Sequence, residues 1–274
     1  MSTEGPVALP DYSSPPVNEA ALSIQFAPIA KFGIPHFGLY WGSIREQFPR
    51  FEVHPALPAV TEIFGEPIAR QAKLGVQLMR EPDVRCWFLD PNGASLFQVQ
   101  RDRFVHNWRQ VSGEEPYPRY PKIRQGLADG WHQFCVFLQS EGFEVSVVNQ
   151  CEVTYVNHIP YNVGWRGFGE LGKVISPWSG LNSSTFLPDP ERGNMELHYR
   201  LPNDLGRLHI ALEPVLRGRD FTELLQLTLT ARGAPASSKV ADIFAWLDIG
   251  REWVVKGFTD FTTPSMHAVW GRRL

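Results

Sequence analysis

The chain has 274 residues, of which 43% are apolar and 20% charged, with nine Trp and eighteen Phe. That is enough for one large domain or two smaller ones of about 100–200 residues, with an aromatic-rich core, and it excludes global disorder. A formal charge of −3 excludes a whole-molecule electrostatic commitment to nucleic acid or anionic membrane and leaves room only for a local patch.

Cys86, Cys135 and Cys151 are odd in number and widely spaced, so no disulfide framework is implied and a reducing, cytoplasmic setting is expected. The opening MSTEGPVALPDYSSPP has neither the basic nor the apolar region of a signal peptide. No run approaches the ~20 apolar residues of a membrane span.

Taken in chain order, residues 1–16 are Pro/Ser-rich and read as a disordered tail. EAALSIQFAPI (19–29) alternates, placing Leu22, Ile24 and Phe26 on one strand face. Phe37, Tyr40, Trp41, Ile44 and Phe48 recur at helical spacing ahead of Pro49. Residues 49–71 hold four prolines without a period and read as a loop or short helix. AKLGVQLMR begins a strand group. VRCWFLD and ASLFQVQ flank Pro91, Asn92 and Gly93 as a hairpin. Pro121 opens a helix over 121–141 with the stripe Ile123, Leu127, Trp131, Phe134, Cys135 and Leu138, and Gly142 stops it. FEVSVVNQCEVTYVNHI follows as a long strand whose odd positions, Phe143 to Ile159, face the core. Asn157 lies on that face and so needs a hydrogen-bond partner.

The second part reads as a short helix near 165–175, then a hairpin around PNDLG, a strand TELLQLTLTA, and a helix from about Lys239 to Asp260. The stripe of that helix is Val240, Ile243, Phe244, Leu247, Val254, Phe258 and Phe261. A register in which paired numbers sum to 407 sets Tyr199 opposite Leu208 and keeps one face apolar. It also sets Arg200 opposite Arg207. Like charges so placed call for an acid or anion nearby, either Glu196, another segment or a bound ion. TTP (262–264) reads as a helix start, with Thr263 as N-cap and Pro264 in the first turn.

The expected fold class is α+β, antiparallel sheets covered by long helices. The expected division is 17–142 and 143–274, two similar β-α-β-β-β-α halves or one compact domain. An internal duplication competes with chance repetition of a common element order.

Motifs for chemistry are sparse. GFGELG (167–172) matches a dinucleotide-loop pattern, but Glu170 would oppose a pyrophosphate, and a Pro/Ser/Gly-rich segment stands where the crossover to a parallel strand should be. No metal-ligand spacing occurs. His198 and His209 pair across the hairpin, and two histidines do not close a metal site. Cys151 lies on the core face, and Glu152 and His158 on the other, with nothing in the spacing to make them an acid/base pair. No cofactor is called for.

The segment 101–124 carries six basic and three acidic residues with Trp108, Tyr117 and Tyr120 interleaved. Apolar character changes face between Val99 and Phe104, which reads as a bulge near Arg101–Asp102 or a strand leaving the sheet. Two arrangements are possible. In one, the arginines lock the strand's exit by binding carboxylates and carbonyls, with Phe104 or Val105 and Trp108 buried. In the other, the arginines project freely beside exposed aromatics and grip a nucleic acid.

The blocks LFQVQRDRFVHNWRQ, EEPYPRYPKIR, NQCEVTYVNHI and GFTDFTTPSMHAVWGR, with PPVNEAALSIQFAPI, resemble a sporadically distributed, uncharacterised bacterial protein family of about this length. The resemblance spans nearly the whole chain. It implies a bacterial cytosolic protein and transfers no catalytic residues.

The functional expectation is a non-enzymatic binding protein, with a protein partner ahead of a small anion. The candidate binding residues are Arg101, Arg103, Asn107, Arg109, Arg119, Tyr120, Arg200 and Arg207, with no metal site. A nucleic-acid-binding protein using residues 101–124 is the alternative, and an enzyme working around Cys151, Glu152 and His158 a further one.

Overall fold

The computed structural model describes residues 8–65, 83–144, 147–179 and 186–273. Nine strands form one antiparallel sheet: β2 (Val17–Phe26), β3 (Arg50–Pro55), β4 (Val84–Leu89), β5 (Ser95–Gln100), β6 (Arg103–Arg109), β7 (Val148–Pro160), β8 (Met195–Arg200), β9 (Arg207–Leu216) and β10 (Glu223–Gly233). Their order is β3-β4-β5-β6-β2-β7-β10-β9-β8. β2 and β7 therefore meet at the centre, and each is followed outward by the later strands of its own part of the chain in reverse order. Three helices, α1 (Ile34–Ile44), α2 (Arg119–Ser140) and α3 (Val240–Phe261), bury residues of their stripes in the core formed with one face of the sheet. α4 (Pro264–Val269) follows α3. A small second ladder joins β1 (Asp11–Tyr12) to β11 (Arg272–Arg273).

Period-2 alternation decides the two faces. Leu22, Ile24, Phe26, Phe104, Cys151, Val153, Leu227 and Leu229 are buried on the helix side, where Phe26 and Phe104 meet Trp131 and Phe134. On the other face the same strands present Ser23, Gln25, Arg103, Gln150 and Glu152. Asn157, on the apolar side, donates from Nδ2 to the Leu227 carbonyl at 3.0 Å, as a buried amide must.

Both hairpins form: the second in the expected register, Tyr199 opposite Leu208 with Arg200 opposite Arg207, and the first with Phe88 opposite Phe97. α2 ends at Gly142, whose φ of 75° lets the amide of Phe143 reach back to the Leu138 carbonyl at 2.8 Å. Thr263 caps α4 by accepting the amide of Met266.

Several expectations differ from the structure. The change of face near Arg101–Asp102 is no bulge. It is a hairpin turn, with Gln100 opposite Arg103 in adjacent strands, and reversal of the chain restarts the alternation. The turn lacks the usual glycine or asparagine, so the sequence carried no signal for it. Residues 50–55 are an edge strand, and 56–65 are extended. The long strand begins only at Val148, with Val147 exposed, and Val240 is exposed at the start of α3. Within the stretch read as a tail, residues 8–16 are docked: Tyr12 is buried against Phe258, His267 and Trp270, and its hydroxyl meets Thr259. AKLGVQLMR lies outside the described residues.

α2 lies close on the sheet because Gly126 and Gly130, one turn apart, face it. A β-carbon at Gly130 would sit 2.3 Å from Phe97 Cζ, and one at Gly126 would sit 2.3 Å from the His106 ring. Gly130→Ala should therefore lower stability by about 1–2 kcal/mol. Overpacking of about 1–3 kcal/mol outweighs the gain of about 1 kcal/mol in helix propensity. Gly42→Ala in α1, where a β-carbon meets nothing within 4 Å, should be neutral or stabilising. Denaturant melts of the two variants check the contrast.

Candidate functional site

The polar face is organised at one end of the sheet by strand register. Gln100 of β5 stands opposite Arg103 of β6, Arg103 opposite Gln25 of β2, and Gln25 opposite Gln150 of β7. One step along β7, Glu152 opposes Arg232 of β10, Arg232 opposes Arg207 of β9, and Arg207 opposes Arg200 of β8. The result is a transverse row of amides and guanidinium groups across seven strands. Most are almost fully buried: Gln25, Gln100 and Gln150 at 1% exposure, Arg103 and Arg207 at 6%.

Residues 56–65 run along this row as a strap. Gln100 brackets one residue, its Oε1 accepting from the Leu57 amide and its Nε2 donating to the Leu57 carbonyl, both at 3.0 Å. Gln25 does the same at Val60, again with two bonds of 3.0 Å. Arg103 Nη2 donates to the Pro58 carbonyl at 3.1 Å and to Gln25 Oε1 at 2.6 Å. Gln150 reaches the strap once, accepting from the Glu62 amide at 3.4 Å.

The Glu62 carboxylate is the charged centre of the site. It accepts from Arg207, from His209 Nε2 at 2.6 Å, and from Arg232 at 3.5 Å. Arg207 also donates to the Ile63 carbonyl at 2.8 Å. Phe64 lies under the guanidinium groups of Arg200 and Arg207, at 5.3 and 4.7 Å. Glu152 completes the balance, bound by Arg232 at 3.0 Å and 3.9 Å from Arg103.

Burial raises the carboxyl of Glu62, but the hydrogen bonds from His209 and Arg207 and the charges around them outweigh it and hold the group at about 2. Among the described residues, five buried polar atoms without a hydrogen-bond partner lie along this row, Arg103 Nε, Arg232 Nε, Glu152 Oε1, Gln150 Nε2 and Ser23 Oγ, and five more lie elsewhere, such as Tyr40 Oη and Trp87 Nε1.

Of the eight candidate residues, three meet at this site: Arg103, Arg207 and Arg200, the last also paired with Asp204. The acid demanded by the facing arginines is thus supplied by Glu62 and Asp204 rather than Glu196, which binds His198 instead. The remaining five are engaged elsewhere. Arg101 pairs with Asp83 at 2.9 Å. Asn107 is buried between Gln98 and Glu19, whose carboxyl is raised by burial. Arg109 donates to the Gly93 carbonyl and lies over Trp87. Arg119 binds Asp11 and the Tyr12 carbonyl. Tyr120 donates to Asp248 at 2.7 Å beneath Arg251.

Phe104, Val105 and Trp108 are buried, so residues 101–109 form the polar lock and not a ribbon of free arginines. Cys151 is fully buried on the helix side, where desolvation raises its thiol, and His158 hydrogen-bonds Gln226 on the other face. The residues around Cys151 are not brought together. His198 and His209 lie 4.4 Å apart, each held by its own glutamate.

Gln25, Gln100, Gln150, Glu62, His209 and Arg232 were not among the candidates. Three of them did carry a signal: each glutamine sits beside an apolar residue of a core strand, where a polar side chain needs a partner.

Arg103→Ala should cost about 3 kcal/mol by removing the buried donor to the Pro58 carbonyl and Gln25 Oε1 and the charge beside Glu152, whereas Arg101→Ala, removing an arginine whose side chain is 40% exposed, should cost about 0.5 kcal/mol. Chemical denaturation of both separates them. Because the folded-state carboxyl of Glu62 lies below its ordinary value of 4.5, its contribution is present above about pH 4.5 and lost as pH falls towards 2. Glu62→Gln, a neutral isostere, should be less stable than wild type near pH 6, and the gap should close between pH 4.5 and 2 in melts across that range. No protein-family model and no curated protein matches the chain, and what this face can do follows from its own geometry.

Proposed function

We propose that the protein is a non-enzymatic binding protein whose polar sheet face holds an anionic group, borne by a protein partner or free as a small anion. One observation carries this reading: a single carboxylate, Glu62, gathers two arginines and a histidine from two adjacent strands. Two guanidinium groups and an imidazole around one acid on a strap with little apolar anchorage describe an anion-holding surface better than a core ion pair. Rigid strands support it, which keeps the donors in place before any ligand arrives.

The nucleic-acid reading draws no support from residues 101–124, since their arginines are paired and Trp108 and Tyr120 are buried. The enzyme reading draws none from Cys151, Glu152 and His158, which do not share a site.

The strand order also supports an internal duplication, with β2 and β7 as equivalent first strands, and α2 and α3 as equivalent closing helices. Among the described residues, the second half has a 3-10 turn, Phe168–Lys173, where the first has α1, and three strands follow it where the first half has four. A bacterial cytosolic setting is proposed on the resemblance of the sequence blocks alone. Among the described residues, no helix is long and apolar enough to cross a membrane.

Glu62→Gln leaves the cations without their carboxylate, so an anion from solution should take its place. A site with a Kd of about 1 mM would gain roughly 2 kcal/mol at about 50 mM phosphate. Inorganic phosphate should therefore raise the Tm of the variant by several degrees more than that of wild type. Equal responses in both proteins would overturn the anion-surface reading.

A further inference from the structure

Resting on that reading of the polar face, we infer that its ligand is an extended segment of another polypeptide, carrying a glutamate, which takes the place of residues 56–65. The strap is held as a bound peptide is held. Its main chain is read by side-chain amides, two of which each close a ring of two hydrogen bonds on a single residue, Leu57 and Val60. Contacts of this kind accept almost any side chain at those positions. Identity enters at Glu62, two residues beyond Val60, and again at Phe64 beneath the arginines. The ligand class is therefore an extended peptide with two main-chain anchor residues three apart, a glutamate two residues after the second, and an aromatic residue two further on.

Two features make the strap replaceable. First, it contributes little to the core. Pro58, Ala59, Thr61, Ile63 and Gly65 are exposed, Leu57, Val60 and Phe64 are half-buried, and only the Glu62 side chain is deeply enclosed, at 6% exposure. A segment held by polar bonds with little apolar burial opens locally at low cost compared with the sheet beneath it. Second, the strap satisfies its cradle incompletely. Gln25 and Gln100 bracket the backbone, but Gln150, the third amide of the row, makes one long bond at 3.4 Å, and its Nε2 has no partner. A peptide that follows the same path and turns a carbonyl towards Gln150 would close a third ring that the protein's own segment leaves open. Each buried donor left unmade is costly, so another main chain can fit this row better than the strap does.

The test uses the full chain and a fluorescein-labelled peptide of the strap sequence, PALPAVTEIFG, followed by anisotropy. Glu62→Ala, which loosens the strap, should bind the peptide at least tenfold more tightly than wild type. Replacing the peptide's glutamate by glutamine should weaken binding about tenfold, and adding Arg207→Ala or Gln25→Ala to the Glu62→Ala protein should abolish it. Peptide binding that is equal in wild type and Glu62→Ala, or indifferent to Arg207 and Gln25, would overturn the inference. So would no peptide binding by a Glu62→Gln protein that still responds to phosphate, an outcome that leaves the anion-surface reading standing. Hydrogen exchange on the unmodified protein gives a second measurement that does not depend on a variant folding. The amides of Leu57 and Val60 should exchange at least a hundredfold faster than those of Leu22 and Val153, and equal protection would also overturn the inference.

Discussion

The antiparallel pairing of β2 with β7 decides which side chains can meet across the middle of the sheet. It sets Ile24 against Cys151 and Gln25 against Gln150. Because side chains alternate strictly along a strand, a slip of one residue would exchange the two faces, putting leucines under the strap and glutamines under the helices. The apolar face holds the register from one side, through α2 on β2 and β6 and α3 on β7 and β10. The polar face holds it from the other, since Gln25, Arg103 and Gln150 share one strap and can do so only when aligned.

The polar row would be costly in isolation. Guanidinium and carboxylate groups taken out of water lose several kcal/mol each and recover it only through close, multiple pairing. Here the compensation is nearly complete: Glu62 and Glu152 stand among Arg103, Arg207, Arg232 and His209. What remains unsatisfied sits along the same row. The sheet is thus rigid where it holds charge, and the strap above it is the part with least apolar anchorage.

The N-terminal residues show the same economy on the helix side. Arg119, at the start of α2, binds Asp11 and the Tyr12 carbonyl, and Tyr12 fills the space beside α3 near Phe258 and Trp270. A polar, proline-rich stretch is thereby tied down by an aromatic anchor, by Arg119 and Arg273 on Asp11, and by the ladder to Arg272–Arg273. The five arginines between 101 and 124 are consumed in such internal ties, which is why a segment that looks like an interface in one dimension is mostly framework in three.

The antiparallel α+β class and the register of the β8–β9 hairpin were legible in the chain because they follow from local periodicity: stripes at helical spacing, alternation along strands, and the sum rule pairing Tyr199 with Leu208. The need for an acid near Arg200 and Arg207 was legible too, since like charges face each other in that register whatever surrounds them. The hairpin turn at Arg101–Asp102 was not, because nothing in those two residues announces a reversal. Nor was the polar row. Gln25, Gln100, Gln150, Glu62, Arg207 and Arg232 are scattered over more than two hundred positions, and no local pattern relates them. Only the strand order and register bring them to one end of one face, and only long-range packing lays residues 56–65 across them.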